Sequence, residues 1–344
     1  MRAAVLHAAR DLRIEPVATA PLGPNQVEVR IEAGGICGSD LHYYQDGGFG
    51  TVRLREPMIL GHEIAGTVSR VGSDVSSIAA GTRVAVNPSR PCQTCRYCFA
   101  GKQQHCLNML FYGSAMRFPH VQGGFRDVLV CDATQAVPVP AAMSAARAAF
   151  AEPFAVCLHA VNRAGPLLGR RVLVTGAGPI GALTIIAARR AGALEIVATD
   201  VADATLKIAR KVGADATVNV SEKDALARYE ADKGSFDVMF EASGNARALA
   251  GGFAAVRPMG VIVQIGIAGG EMALPMNVVV AKEIELRGTF RFHTEFALAV
   301  ALIGNGLVDV MPLLSATVPL ERANEAFALA ADRSKAMKVQ LAFG

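Results

Sequence analysis

Val172-Leu173-Val174-Thr175-Gly176-Ala177-Gly178-Pro179-Ile180-Gly181 is an apolar, β-branched run that stops at a glycine-rich turn and passes straight into a helix-forming segment. A Gly-x-Gly-x-x-Gly in that setting needs Gly176 for the tight turn, Gly178 for close approach of a pyrophosphate, and Gly181 for packing helix against strand. Pro179 gives up an amide but pre-sets the first helical turn, and the remaining N-terminal amides face the phosphates. The next strand, Glu195-Ile196-Val197-Ala198-Thr199, ends at Asp200, 24 residues after Gly176. A carboxylate there accepts hydrogen bonds from the adenosine ribose and repels a 2′-phosphate, which favours NAD over NADP. The other reading of Asp200 is a helix cap. No Arg directly follows it, although Lys207 and Arg210 lie further on.

Outward from this unit, strands and helices alternate. A helix runs from about Pro179 to Ala191 and another from Ala204 to Val212, with strands at 236–240 and 260–265. Such alternation predicts an α/β fold with a doubly wound parallel sheet covered on both faces. At Glu152-Pro153 a helix begins and runs toward Ala164, where Gly165-Pro166 ends it. The first 140 residues differ. Short β-branched or alternating runs (3–6, 26–32, 66–71, 82–86) are separated by Gly, Pro, Asn and Ser, and predict an irregular, mostly-β unit. After Gly288 come a helix, Glu295 to Gly304, and a last strand, 338–341. That tail is short to stand alone and is expected to pack on the first unit. The organisation read from this is a discontinuous domain of 1–150 and 288–344 around a nucleotide domain of 151–287.

The chain has 344 residues, 52% apolar and 19% charged, with a formal net charge of +4 spread along its length. The length favours two domains. The small, dispersed charge argues against nucleic acid as a partner and leaves small anionic ligands open. No apolar run reaches the roughly 18 residues of a membrane span, and His7, Arg10 and Asp11 interrupt any signal-peptide core. A cytoplasmic protein without a membrane partner is the expectation.

Four of the seven cysteines form Cys92-x2-Cys95-x2-Cys98-x7-Cys106. Four thiolates at such spacing can close a tetrahedron around Zn2+, and a site with no open position holds a loop rather than doing chemistry. Buried free thiols, a redox pair or a zinc-ribbon nucleic-acid module are the competing readings. A second candidate centre is Gly61-His62-Glu63-Ile64-Ala65-Gly66, read as a bend bracketed by its glycines. Cys37, on the Gly-rich turn Cys37-Gly38-Ser39-Asp40-Leu41-His42, would join it. Cys37, His62 and a carboxylate would make a three-ligand zinc site with one position left for substrate. On the residues alone, a buried structural Cys and a satisfied core His are the default reading.

Five motifs in order overturn that default: Cys-Gly-Ser-Asp-x-His at 37–42, Gly-His-Glu-x-x-Gly at 61–66, the four-cysteine lobe, Glu152-Pro153, and the glycine fingerprint at 176–181. Together they resemble the zinc-dependent medium-chain alcohol and polyol dehydrogenases over essentially the whole chain. The set Cys37, Ser39, His62 and Glu63 is similar to the sorbitol dehydrogenase branch. Three further stretches, 111–116, 118–125 and 287–292, narrow the resemblance toward members acting on a sugar acid.

The resemblance implies a Rossmann domain beside a GroES-like catalytic domain, and hydride transfer from a secondary alcohol of a polyol or sugar acid to NAD. It implies two zinc ions per chain. The catalytic zinc would take Cys37 and His62 directly and Glu63 and Glu152 directly or through water; Cys92, Cys95, Cys98 and Cys106 would hold the structural one. Asp40 would orient His62 by accepting its outward N–H. Ser39 would bind the substrate hydroxyl and His42 would pass its proton to solvent; the alternatives are a turn hydroxyl and a surface His. Glu63 and Glu152 are thus counted in the catalytic set with Ser39 and His42. The cofactor set is Gly176, Gly178, Pro179, Ile180, Gly181, Asp200, Gly266 and Phe290. Arg291 is expected to grip a substrate carboxylate, or else to make an interdomain salt bridge, with Arg117 and His120 as weaker candidates. Tyr43 would touch substrate hydroxyls or pack on Phe118. Assembly into a dimer or tetramer is a further implication. The rivals are a threonine or simple alcohol dehydrogenase of the same fold, and a non-enzymatic nucleotide-binding protein.

Overall fold

The computed structural model of the protein describes residues 1–268 and 270–344. Among these, six strands form one parallel sheet in the spatial order Ala216–Asn219, Glu195–Asp200, Arg171–Thr175, Phe236–Glu241, Val256–Gln264, Glu285–Gly288. The chain starts at the middle, works to one edge, then returns and works to the other. The reversal falls between Arg171–Thr175 and Phe236–Glu241, and in open sheets of this kind the crevice outside the carboxyl ends of the strands at such a reversal is where ligands bind. All six residues of Phe236–Glu241 are buried. Burial on both faces is what an uninterrupted apolar run implies when helices cover the sheet on each side. On one of those faces Ala151–Ala164 packs against both Pro179–Arg190 and Glu295–Gly304.

The second large sheet is ordered Ala136–Pro138, Arg83–Val86, Glu63–Val71, Gln26–Gly35, Lys338–Ala342, Leu314–Pro319, with Val128–Asp132 also paired to Gln26–Gly35. Lys338–Ala342 runs antiparallel to Gln26–Gly35, Gln340 opposite Gly35. The last strand therefore lies in the same sheet as Gln26–Gly35 of the N-terminal unit. An α/β architecture with a parallel sheet and a second, mostly-β unit is the class the alternation predicts. Among the described residues no helix is long and apolar enough to cross a membrane.

Three local expectations are corrected. The stretch from Cys37, read as a turn, is the start of a helix, Gly38–Asp46. Cys37 stays extended (φ −91°, ψ 160°) as its N-cap, and Asp40 accepts the Cys37 N–H at 3.0 Å. That reciprocal cap outweighs the turn character of Gly and Ser. Gly66 is not at a bend but inside strand Glu63–Val71, opposite Ile31, where a Cβ would stand 2.0 Å from the Arg30 carbonyl oxygen. Lastly, the helix expected to open at Pro153 begins at Ala151, with Pro153 still in the first turn where its missing N–H costs nothing.

Candidate active site

The Sγ of Cys37, a ring nitrogen of His62 and a carboxylate oxygen of Glu63 all lie within 4.8 Å of one another. Each is placed by its own local device. Cys37 is fixed by the helix cap. His62 follows Gly61, whose φ of +93° turns the chain and whose hydrogen makes room for the Phe125 ring; a Cβ would sit 2.1 Å from that ring. Glu63 opens a strand facing Gly35, where a Cβ would meet Glu63 Oε2 at 2.1 Å. The small residue on one strand thus creates the hole for the carboxylate on the next.

His62 Nδ1 is buried without a hydrogen-bond partner, whereas Glu63 Oε2 is in contact with the ammonium of Lys338. Unpaired polar atoms cost about 1 to 3 kcal/mol each unless something completes them. Asp40 does not do so: its Oδ1 stands 3.7 Å from His62 Nδ1, beyond hydrogen-bond reach, and accepts the Gly61 N–H at 3.1 Å instead. The expected Asp40–His62 hydrogen bond is therefore replaced by backbone capping at both Cys37 and Gly61. Burial pushes the Cys37 thiol up to about 12, and the Glu63 carboxylate pushes the same way. Two buried acids beside an unpartnered imidazole are a donor set suited to a divalent cation.

Glu152, on helix Ala151–Ala164, is buried and lies outside that three-residue group. Burial raises its carboxyl to about 8, against the pull of His62, with Glu63 and Cys37 adding to the rise. The partner that Glu63 does have was not legible beforehand. Lys338, 4% exposed, donates from Nζ to Glu63 Oε1 at 2.6 Å and to the Ile36 carbonyl at 2.9 Å. Burial works against its charge, yet Glu63, Cys37 and Glu152 together raise its pKa. A lysine at the head of the buried strand Lys338–Ala342 is the one signal in the sequence for it.

Ser39 and His42 share a face of helix Gly38–Asp46 by their spacing of three. Ser39 is half-buried, and its hydroxyl makes no hydrogen bond to another described residue, so the self-bonded turn reading does not apply. His42 is exposed, its Nδ1 3.7 Å from Asp46. Tyr43 is corrected: it is buried against Phe49 (ring centroids 5.3 Å), not against Phe118, and its hydroxyl oxygen accepts the Ala115 N–H at 3.0 Å. Phe118 stands exposed beneath Arg55.

Arg291 carries its guanidinium over the rings of Phe111 (4.2 Å) and Phe290 (4.9 Å), with the Met116 sulfur 3.2 Å from Nη2. Among the described residues it has no carboxylate within 4.0 Å, so the interdomain salt-bridge reading fails. Burial lowers its pKa to about 10, while Glu152 and Tyr43 pull upward. The weaker candidate His120 is tied up: Nε2 accepts the Arg55 N–H and Nδ1 faces the Arg117 carbonyl.

At the nucleotide fingerprint, Gly176 has φ +83°, and a Cβ on Gly181 would lie 1.8 Å from the Gly176 carbonyl oxygen. Gly178 caps helix Pro179–Arg190, with Pro179 and Ile180 in its first turn. Asp200 ends its strand and accepts from the Ala177 N–H (2.7 Å) and the Ala202 N–H (3.0 Å). It is not the cap of helix Asp203–Lys211, whose N-cap is Ala202. Across the crevice, Glu241 was not anticipated: fully buried, it takes the Ser243 and Gly244 amides, while its carbonyl takes the Gly266 N–H at 2.9 Å. It fastens together the loops that follow two neighbouring strands. Phe290 stacks on His105 of the cysteine lobe, at the junction of the sheets.

In that lobe the sulfurs of Cys95 and Cys98 are 3.6 Å apart, those of Cys95 and Cys106 3.9 Å, and those of Cys92 and Cys106 3.5 Å. A tetrahedron with metal–sulfur bonds of about 2.3 Å has edges of about 3.8 Å. All four thiols are free, and the amides of Cys92 and Asn108 point at Cys106 Sγ. Hydrogen bonds from Thr94 bring Cys92 down to about 5, whereas burial and the neighbouring thiols push Cys98 up to about 12. Four adjacent thiolates are stable together only around a cation.

Comparison with known proteins agrees with this geometry. Residues 23–141 match the family described as Alcohol dehydrogenase GroES-like domain, and residues 179–305 match Zinc-binding dehydrogenase. The chain is 45% identical over 319 residues to the L-idonate 5-dehydrogenase (NAD(P)(+)) of Escherichia coli (strain K12), covering 93% of this chain and 92% of that one. It is 33% identical over 343 residues to the sorbitol dehydrogenase of Gallus gallus, covering 98% and 95%. The crystal structure of L-idonate 5-dehydrogenase from Escherichia coli K-12 superposes with a TM-score of 0.96 at 42% identity, covering 99% of this chain and 98% of that one.

Proposed function

The chain belongs to the zinc-dependent medium-chain alcohol and polyol dehydrogenases, and within that family we propose that it oxidises L-idonate to 5-keto-gluconate with NAD. The observation that carries the sugar-acid reading is Arg291: a half-buried guanidinium, within the electrostatic reach of Glu152 and Tyr43, with no carboxylate partner of its own among the described residues. A planar fork held between two aromatic rings suits a substrate carboxylate, which it can meet with two hydrogen bonds. The 45% identity to the Escherichia coli enzyme supports the same substrate.

Cys37 and His62, with Glu63 and Glu152 as alternating partners, would hold a catalytic zinc, and Cys92, Cys95, Cys98 and Cys106 a structural one. When bound, the catalytic ion supplies the Lewis acidity that lowers the pKa of an alcohol hydroxyl, and NAD supplies the hydride acceptor. The chain's own part is alignment and proton removal. Ser39 Oγ receives the hydroxyl proton and hands it to His42, which is open to solvent; such relays contribute about 10² to 10⁴-fold. Arg291 fixes the far end of the substrate, and Lys338 sets the position and charge of Glu63. Gly176, Gly178, Pro179, Ile180 and Gly181 carry the pyrophosphate. Asp200, whose carboxylate is already steered by two amides, favours the adenosine ribose of NAD over the 2′-phosphate of NADP. Gly266 and Phe290 would flank the nicotinamide end. Among the described residues strand Glu285–Gly288 pairs on one side only, an open edge that supports assembly into dimers or tetramers.

The test is NADH formation with L-idonate, sorbitol, threonine and ethanol under matched conditions. L-idonate should give the highest kcat/KM. A higher value on sorbitol would move the assignment to the polyol branch, the reading favoured by the sorbitol dehydrogenase relatives, and no turnover of L-idonate would sink it.

A further inference from the structure

Arg333 lies on the turn that joins helix Ala323–Ala331 to strand Lys338–Ala342, so it is carried by the sheet that holds the metal-site residues. Its side chain nevertheless reaches the nucleotide fingerprint: Nη1 is 2.8 Å from where a Cβ on Gly178 would be. Gly178 is the residue at which the phosphates approach the backbone.

The turn is built to present this one side chain. Asp332 Oδ1 accepts the Ser334 N–H at 3.1 Å, and its Oδ2 pairs with Lys335 at 2.8 Å, while the Asp332 carbonyl takes the amides of Lys335 and Ala336. Arg333 itself makes no hydrogen bond and no ion pair among the described residues. The carboxylates in view are engaged elsewhere: Asp332 as stated, and Asp200 by two backbone amides. The guanidinium therefore sits, uncompensated, against the positive end of the twelve-residue helix Pro179–Arg190. Arg333 is exposed, so water solvates the guanidinium there, and an anion entering between it and the helix N-terminus would be attracted by both.

We propose that Arg333 closes over the cofactor pyrophosphate from the side opposite the glycine loop, clamping the two sheets around the dinucleotide. The inference rests on the nucleotide-binding reading given above. Five residues on, the same segment delivers Lys338 to Glu63, so the clamp ties the cofactor's phosphates to the strand that orders the metal cluster.

Calorimetric titrations of wild type, Arg333→Ala and Arg333→Lys with NADH, NADPH, ADP-ribose and adenosine test it without turnover. Arg333→Ala should weaken NADH, NADPH and ADP-ribose about equally, by roughly tenfold, the size of one charge-assisted contact. Adenosine, which has no phosphate, should bind as before, and Arg333→Lys should recover part of the loss. Unchanged ADP-ribose binding in Arg333→Ala overturns the clamp. So does a loss confined to NADPH, which would place the guanidinium on the 2′-phosphate, or an equal loss for adenosine, which would mean a distorted site. Failure of the wild type to bind NADH or ADP-ribose would overturn the nucleotide reading as well.

Discussion

Lys338 Nζ donates a 2.6 Å hydrogen bond to Glu63 Oε1 across 275 positions of chain, inside the sheet that links the last strand to the third residue of the Gly-His-Glu motif. Both side chains are buried. The carboxylate grouped with Cys37 and His62 is thus already paired with a cation of the protein, and the lysine competes for the negative charge Glu63 can offer.

Replacing Lys338 by Met should destabilise the fold by about 3 to 5 kcal/mol, because it strands a buried carboxylate. Combined with Glu63→Gln, the loss should shrink well below the sum of the single changes. Urea unfolding of the four proteins measures this. Strict additivity would show that the pair is not coupled.

Metal analysis of the purified chain should find two zinc ions. Cys95→Ser should remove one and lower stability, with the Cys37–His62 site still loaded; His62→Ala should remove the other and abolish turnover while NADH still binds. A single zinc in the wild type, lost with Cys95→Ser, would leave the family fold without its catalytic metal.

Arg291→Ala should reduce kcat/KM for L-idonate by about 30-fold to several thousand-fold, the equivalent of about 2 to 5 kcal/mol for losing a desolvated charged contact. Sorbitol, lacking the carboxylate, should be affected far less. Equal losses on both substrates would mean that Arg291 only shapes the pocket through Phe111 and Phe290.

Glu295 joins helix Glu295–Gly304 to helix Ala151–Ala164 by accepting from His159 Nδ1 (2.9 Å) and Asn162 Nδ2 (3.0 Å). Burial alone would raise its carboxyl, but these bonds and the His293 amide hold it at about 2, below the ordinary 4.5. Its folded pKa is depressed, so its contribution is complete above about pH 4.5 and fades as the pH falls toward 2, by about 3 kcal/mol in all. Thermal melts from pH 6 to 2.5 should show a smaller acid loss in Glu295→Gln, which is less stable at pH 6. Parallel curves for the two proteins would exclude the effect.

Much of this molecule is local and could be read from the chain directly. Gly176 to Asp200 is one strand–turn–helix–strand unit whose glycines answer to backbone geometry within a few residues, and the structure has it with boundaries shifted by a residue or so. The cysteine lobe is equally self-contained: its four sulfurs fall at tetrahedral spacing because its spacers are short. Where the local reading failed, a competing local interaction won, as when the Asp40 cap made a helix of the residues after Cys37.

The sequence alone determined the alternating α/β unit, the nucleotide fingerprint and the residue types of two candidate metal sites, because dihedral preferences and ligand spacing act over a few residues. Only the tertiary structure decided that Lys338 pairs with Glu63 while Asp40 caps the backbone at Cys37 and Gly61, that Arg291 has no carboxylate partner among the described residues, and that Arg333 rests on Gly178. Those facts depend on which strands become neighbours: a final strand added beside Gln26–Gly35 carries two cations to partners more than 150 positions away, and no short-range pattern encodes that pairing.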